Sequence, residues 1–210
     1  MNKLIYIMDP LCGWCYGNSE NMLAIKKEFA EQFEFEILAG GMWIPPHTRS
    51  GGSELRNFMK QHVPPMVQTT GAVVSDPFYA LANNPKYTFS SLEACTAQVL
   101  VKELKPEVTF EFASAVQKAF YQDGSPLNVL STYQPILTTL GVDTTVFESK
   151  WMQDENKTAT KNEFNKASTM ANGFPTLLIE LDGQLGKITS GYFQLEAMRS
   201  HLEQFVAKAN

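Results

Sequence analysis

Residues 4–15 read LIYIMDPLCGWC, a dense apolar run that leads directly into two cysteines three positions apart. The run Leu4–Met8 is typical of a central strand that is buried on both faces, and the Asp9-Pro10 pair ends it. From about residue 13 to residue 32, apolar side chains recur at spacings of three and four, which predicts an amphipathic helix. The cysteine pair is therefore expected where a buried strand passes into a helix.

A second strand is predicted over residues 33–39, where phenylalanine and isoleucine alternate with glutamates before Gly40-Gly41 ends the run. Two parallel strands need a crossover connection of a dozen or more residues, and the predicted helix is long enough to supply it. The first 41 residues are therefore interpreted as a strand–helix–strand unit.

The C-terminal end is predicted to form a hairpin followed by a helix. Residues 176–181 (TLLIEL) and 184–189 are expected to pair around the Asp182-Gly183 turn, because this dipeptide favours a tight hairpin connection. A last helix follows, and its apolar residues share one face. These residues are Leu195, Met198, Leu202 and Phe205.

Between these two ends the pattern is mostly helical, without an internal repeat. Ser90-Ser91 can cap a helix that runs to about Leu104, and Pro106 fits the first turn of another that runs to about Tyr121. Further helices are predicted over residues 127–140, 144–152 and 158–171. We therefore divide the chain into one domain formed by residues 1–45 and 172–210, and an all-helical insertion formed by residues 46–171.

Composition limits the classes of function. Seventeen Lys and Arg against 22 Asp and Glu give a net charge of -5, which argues against a nucleic-acid binder with a basic face. No apolar run approaches the roughly 20 residues that a membrane-spanning helix needs. The short run of residues 4–8 does not match a secretory signal, because Asp-Pro and the cysteines follow at once. We therefore expect a cytoplasmic protein without nucleic-acid or membrane partners.

The cysteine pair predicts thiol–disulfide chemistry. A cysteine near a helix N-terminus is favoured as the thiolate, because free N–H groups and the positive end of the helix dipole stabilise an anion. The thiolate attacks disulfides, and a residue three positions further along a helix lies on the same side. Cys12 is therefore assigned as the attacking thiolate and Cys15 as the resolving thiol. Trp14, expected to be exposed between them, is assigned to substrate binding.

A second motif lies far downstream, at Gly173-Phe174-Pro175-Thr176. A proline that is preceded by an aromatic residue and followed by a strand is a candidate cis-proline turn. A loop of this kind beside a dithiol can offer the backbone of Phe174 to an extended substrate. Phe174 and Pro175 are therefore predicted to bind substrate.

The layout and both motifs resemble the DsbA-like branch of the thioredoxin superfamily, including its cytoplasmic FrnE-type and predicted protein-disulfide-isomerase members. The resemblance rests on DPLC at residues 9–12, CGWCY at residues 12–16 and GFPT at residues 173–176. It implies an α/β, thioredoxin-like fold with a large all-helical insertion. It also implies that Cys12 and Cys15 are the active dithiol of a protein-disulfide oxidoreductase or isomerase, and that Pro175 is its cis-proline.

The chain departs from that branch at two points. Gly-Trp separates its cysteines where periplasmic DsbA has Pro-His, and the first strand lacks the acidic residue that thioredoxin-type enzymes often bury there. Tyr6 and Ile7 occupy that part of the strand, and Asp9 is the only nearby carboxylate. The strength of any oxidase activity therefore stays open at this point.

We expect no metal and no bound organic cofactor, with glutathione as a candidate reducing partner. Zinc would need two more ligands, and the remaining candidates show no paired spacing. They are Cys95, His47, His62 and His201. Cys95 itself is interpreted as a small core residue on a helix.

The expected substrates are disulfide-containing proteins or low-molecular-weight thiols, handled by a monomer or a dimer. Two other functions stay open. One is a glutathione-dependent transferase or isomerase of the kappa-like type, whose relatives usually lack the second thiol. The other is a non-enzymatic adaptor that docks a protein on the helical insertion.

Overall fold

The computed structural model describes residues 2–209 and forms two sheets. Its strands are β1 (Lys3–Met8), β2 (Glu34–Ala39), β3 (Arg49–Ser50), β4 (Thr88–Phe89), β5 (Thr176–Leu181) and β6 (Gln184–Ser190). The main sheet has the order β2-β1-β5-β6. In it β1 is parallel to β2 and antiparallel to β5, which pairs with β6 as an antiparallel hairpin. The predicted strand–helix–strand unit and late hairpin are confirmed.

Helices connect and cover these strands. They are α1 (Gly13–Gly17), α2 (Ser19–Phe29), α3 (Ser53–Thr70), α4 (Asp76–Ala82), α5 (Ser91–Leu104), α6 (Thr109–Tyr121), α7 (Leu130–Leu140), α8 (Thr144–Lys150), α9 (Asp154–Met170) and α10 (Leu195–Ala209), with a short 3-10 helix at Pro106–Val108. Ser90 caps α5 as predicted, because its hydroxyl accepts the backbone N–H of Leu92.

The central strand is buried on both faces, as its apolar run predicted. Leu4, Tyr6 and Met8 pack on one side with side chains of α2, α6 and α10. Ile5 and Ile7 pack on the other side against α9 and the neighbouring strands. Because side chains alternate along a strand, this burial fixes which residues of β1 point toward the helix that follows the cysteines.

The middle of the chain builds a second core of its own. Its largest fully buried side chains are aromatic, and their rings pack against one another. They are Phe78, Phe89, Phe112, Phe120, Tyr133 and Phe147. The α/β, thioredoxin-like fold class is confirmed, whereas the division at residues 46 and 171 stays a prediction.

Three local features differ from the predicted elements. The helix expected over residues 13–32 is divided at Asn18, because this buried amide bonds the backbone of Gly191 and Phe193 near the start of α10. The block expected to be all-helical contains the β3–β4 ladder, which is two residues long and therefore too short to show an alternating pattern. The helix predicted over residues 127–140 begins only at Leu130, and Pro135 lies inside it without dividing it.

None of the helices in the described part of the chain is both long enough and apolar enough to cross a membrane.

Candidate functional site

The first cysteine lies at the very start of α1. Cys12 takes the extended N-cap conformation, with φ -83° and ψ 116°. Its backbone N–H donates to the carbonyl oxygen of Asp9 at 3.0 Å, and its own carbonyl accepts the N–H of Tyr16 at 3.0 Å. The tight turn after β1 therefore places Cys12 at the N-cap of α1, at the helix start that the sequence predicted.

The two thiols of the pair differ in exposure. Both are reduced, Cys15 is 0% exposed and Cys12 is 6% exposed. Burial raises the pKa of the Cys15 thiol well above its ordinary value, and the neighbouring Cys12 raises it further. Cys15 is thus the deeper of the two thiols, and its burial favours the protonated form, as is expected of a resolving cysteine that lies behind an attacking one.

The downstream proline motif contacts the first cysteine, although Phe174 and Cys12 are 162 positions apart in the chain. The Phe174–Pro175 peptide bond is cis, and the Cys12 Sγ donates to the Phe174 carbonyl oxygen at 3.6 Å. Thr176 begins β5 directly after it. The predicted cis-proline is confirmed, and Cys12, Phe174 and Pro175 meet at one end of the sheet.

The ring of Phe174 packs against the glycine that follows β2. A Cβ atom built on Gly40 would lie 2.2 Å from Phe174 Cε1, which no real contact allows. The ring therefore occupies the space that the absent Gly40 side chain leaves, and the carbonyl oxygen of Phe174 accepts from Cys12. Gly40 was predicted only as the end of a strand, so this contact is a role that the sequence did not reveal.

Trp14 is 38% exposed beside the two thiols, as expected. Its indole is one of the few large apolar groups open to solvent among the described residues. The assignment of Trp14, Phe174 and Pro175 to substrate binding, like that of Cys12 and Cys15 to catalysis, stays a prediction.

Asp9 is a buried carboxylate that organises the turn. Its Oδ1 accepts the backbone N–H of Leu11 at 2.9 Å, and its Oδ2 accepts that of Met42 at 2.6 Å and the thiol of Cys95 at 3.8 Å. Burial raises the pKa of this carboxyl, and the hydrogen bonds from Met42 and Leu11 oppose the rise. Asp9 therefore ties the loop before the dithiol to the loop after β2.

The helical block supports the dithiol from the other side. The Tyr121 hydroxyl on α6 donates to the carbonyl oxygen of Leu11 at 2.6 Å, and its ring stacks on Tyr16 with centroids 4.6 Å apart. On α3, Met66 Cε lies 3.5 Å from the position that a Cβ on Gly13 would take. The helical block thus packs directly against the segment that carries the cysteines.

The Tyr16 hydroxyl adds a second link to this wall. It donates to the Val73 carbonyl oxygen at 2.7 Å and accepts from Gln122 Nε2 at 2.8 Å. Sequence reasoning did not find Tyr16, Tyr121 or Asp9 as supports of the site. Only Asp9, as the one carboxylate near the motif, gave a signal that could have been followed.

Comparisons with known proteins agree with this geometry. No protein-family model matches the chain, and no curated protein matches it. The chain is similar over its whole length to the solved structure of a candidate protein disulfide isomerase from Nitrosomonas europaea. The identity is 26% and the TM-score 0.85, with 100% of this chain and 99% of the other covered.

It is also similar to the cytosolic disulfide reductase DsbM from Pseudomonas aeruginosa, with 24% identity, a TM-score of 0.79 and 98% of each chain covered. DsbM has also been solved with GSH. A 2-hydroxychromene-2-carboxylate isomerase matches less well, with 12% identity, a TM-score of 0.64, and 98% of this chain and 97% of the other covered. The structural neighbours are thus DsbA-like, thioredoxin-fold proteins, and the resemblance predicted from the sequence is confirmed.

Proposed function

We propose that this protein is a thiol–disulfide oxidoreductase that uses Cys12 and Cys15 as its redox-active dithiol. One observation carries the proposal. The Cys12 thiol lies at the start of a helix and against the Phe174 carbonyl, while the Cys15 thiol lies buried one helical turn behind it. A helix-start thiol with a second thiol one helical turn behind it is the arrangement that two-step disulfide exchange needs.

In the proposed reaction, the Cys12 thiolate attacks one sulfur of a substrate disulfide. A bond forms between that sulfur and Cys12, the substrate S–S bond breaks, and the second substrate sulfur leaves as a thiolate that takes a proton from solvent. Cys15 then loses its proton and attacks Cys12. The Cys12–Cys15 disulfide forms, the first substrate sulfur leaves as a thiol, and two electrons have passed from the protein to the substrate.

The substrate is proposed to lie across Trp14 and the Phe174–Pro175 loop. The half-exposed indole of Trp14 offers an apolar surface next to the sulfurs. Pro175 has no N–H, so it leaves the acceptors of a docked chain free, while the backbone of Phe174 can pair with an extended segment. We propose both disulfide-containing proteins and low-molecular-weight disulfides as its substrates.

The preferred direction is reduction or isomerisation, in a reducing cytoplasm and with no bound organic cofactor. The likeness to a cytosolic reductase that has been solved with GSH supports this direction and supports glutathione as the reducing partner. The transferase and adaptor alternatives are less well supported. The isomerase neighbour is the weaker match, and a resolving thiol held behind Cys12 has no use in either alternative.

The decisive test is a redox equilibrium of the protein against mixtures of reduced and oxidised glutathione, with Cys12→Ser and Cys15→Ser as controls. We expect a reversible two-electron transition that both substitutions abolish. Its midpoint then gives the direction of the reaction in a given compartment. A protein whose thiols show no such transition would contradict the proposal.

A further inference from the structure

Tyr121 reaches the dithiol segment from the helical block. It is the last residue of α6, and its side chain is 3% exposed. Its hydroxyl donates to the Leu11 carbonyl oxygen at 2.6 Å and lies 3.7 Å from the position that a Cβ on Gly13 would take. Leu11 and Gly13 are the two neighbours of Cys12 in the chain. A single hydroxyl from α6 therefore lies beside the backbone on both sides of this cysteine.

The ring of Tyr121 is itself fixed in place. It stacks almost parallel on Tyr16, with centroids 4.6 Å apart and 8° between the planes. The backbone carbonyl of Tyr121 accepts the N–H of Ser75 at 3.1 Å, and the Tyr16 hydroxyl donates to the Val73 carbonyl at 2.7 Å. Two separate segments of the helical block thus hold the tyrosine pair, and the direction of the Tyr121 hydroxyl is set by the block rather than by the cysteine segment.

The segment that this hydroxyl contacts needs support from outside. Cys12 is the N-cap of α1, which has five residues, and the side chain of Cys12 makes no capping hydrogen bond. A helix this short is not stable by itself, because the cost of its first turn is not recovered over so few residues. The position of Cys12 therefore depends on contacts with other parts of the chain, and the bond from Tyr121 acts on the peptide group directly before it.

The Tyr121 hydroxyl is suited to a donor role at neutral pH. Burial raises the pKa of this hydroxyl well above its ordinary value, and negative charge on Cys12 raises it further. The hydroxyl therefore stays protonated and keeps its hydrogen bond to the Leu11 carbonyl. Without that bond, the partial negative charge of the carbonyl oxygen would be unpaired in a buried place next to a thiol that must become an anion.

We propose that Tyr121 is a positioning residue for Cys12. Its hydroxyl holds the Leu11 carbonyl so that the peptide group before Cys12 keeps the orientation that favours the attacking thiolate. The proposal rests on the proposed function and adds a residue of the helical block to the same site. Tyr121 does not contact the substrate in this role, and its proton is not transferred.

The test is Tyr121→Phe, which removes the hydroxyl and keeps the ring. The first sulfur step is followed in a stopped-flow instrument with one equivalent of Ellman's disulfide, 5,5′-dithiobis(2-nitrobenzoate), because the first thionitrobenzoate is released when Cys12 attacks. At neutral pH this release should be about threefold to tenfold slower than in the parent protein, and the midpoint of its pH profile should move upward by about half a unit to one unit. The substitution leaves the other ionisable groups around the thiol unchanged, namely Asp9, Cys15, Tyr6 and Tyr16.

Tyr133→Phe is the matched control. Tyr133 on α7 is also fully buried, and its hydroxyl donates to a backbone carbonyl oxygen, that of Leu127, inside the helical block. Both variants lose the same kind of hydrogen bond, so both should unfold at a lower urea concentration than the parent protein. The first release and its pH profile should change in Tyr121→Phe alone.

Two results would overturn this inference alone. One is a Tyr121→Phe variant that loses stability but keeps the first release and the pH profile of the parent protein, because the hydroxyl would then be merely structural. The other is a Tyr133→Phe variant that changes both quantities to the same degree. A parent protein without any release that Cys12→Ser abolishes would instead overturn the proposed function.

Discussion

The cysteine pair and the third cysteine offer a direct comparison within one molecule. Cys15 and Cys95 are both reduced and fully buried, and burial raises the pKa of both thiols. Cys95, however, lies inside α5, and its thiol donates to the carboxylate of Asp9 at 3.8 Å. Cys12 has a helix start and the Phe174 carbonyl beside it. Surroundings, rather than burial, therefore distinguish a reactive thiol from a structural one.

The largest expected difference in the rate of disulfide exchange is between a substitution of Cys12 and a substitution of Cys95. Cys12→Ser should lower the rate of disulfide exchange by about a hundredfold or more, because a hydroxyl does not form the nucleophilic anion near neutral pH. Cys95→Ala should change the rate by less than about twofold, since Cys95 takes no part in exchange. The measurement is the reduction of a fluorescent peptide disulfide with glutathione as the reductant.

Thermal unfolding of both variants serves as the control, so that loss of folded protein is not mistaken for loss of chemistry. A Cys95→Ala variant that folds and yet loses exchange to the same degree as Cys12→Ser would erase the distinction between the two sites.

The next prediction tests whether the contact between the Cys12 thiol and the Phe174 carbonyl supports the reaction. Gly40→Ala would place a Cβ 2.2 Å from the Phe174 ring, so the ring and its carbonyl must move. We expect a loss of about 1–3 kcal/mol in the free energy of unfolding, together with slower attack by Cys12. Urea unfolding and the exchange rate measure the two effects.

Gly173→Ala is the matched control, because nothing lies within 4 Å of a Cβ at that position although it adjoins Phe174 in the chain. Its stability should change by less than about 0.5 kcal/mol. Equal effects of the two substitutions would show that the Gly40–Phe174 contact does not position the carbonyl.

The last prediction concerns the pH dependence of stability, to which each buried thiol contributes through its titration. The pKa values of Cys15 and Cys95 are raised above an ordinary value of 9.0, so the folded state keeps protons that the unfolded state loses. The raised pKa values therefore stabilise the folded state fully below about pH 9, and this stabilisation is lost progressively as the pH rises above that value. For the reduced protein, the free energy of unfolding should fall above about pH 9, by about 1.4 kcal/mol per pH unit for each such thiol.

Urea unfolding from pH 7 to pH 10 measures this decline. In Cys95→Ala the free energy of unfolding should fall less steeply with pH, because one of the two buried thiols is absent. Buried tyrosines contribute above pH 10, because burial also raises the pKa values of Tyr6 and Tyr121. An unchanged slope in Cys95→Ala would mean that Cys95 does not hold its proton more strongly in the folded state.

Much of the site could be predicted from the sequence because the signals are local. The apolar run 4–8 specified the central strand, the adjacent cysteines specified the start of a helix, and Phe174-Pro175 before an apolar strand specified the cis turn. The supports of the site could not be predicted in this way. Tyr121 bonds Leu11 across 110 positions, and no spacing rule connects two residues that far apart.

The sequence by itself determined the strands at the two ends of the chain, the place of the two thiols and the residue that precedes the cis-proline, because periodicity and turn chemistry act over a few residues. Only the tertiary structure decided three contacts. The Cys12 thiol donates to the Phe174 carbonyl, the Phe174 ring packs against Gly40, and the buried Asp9 carboxylate accepts from the Cys95 thiol. These contacts join segments that become neighbours only when the sheet and the helical block pack together, and packing is a property of the whole chain.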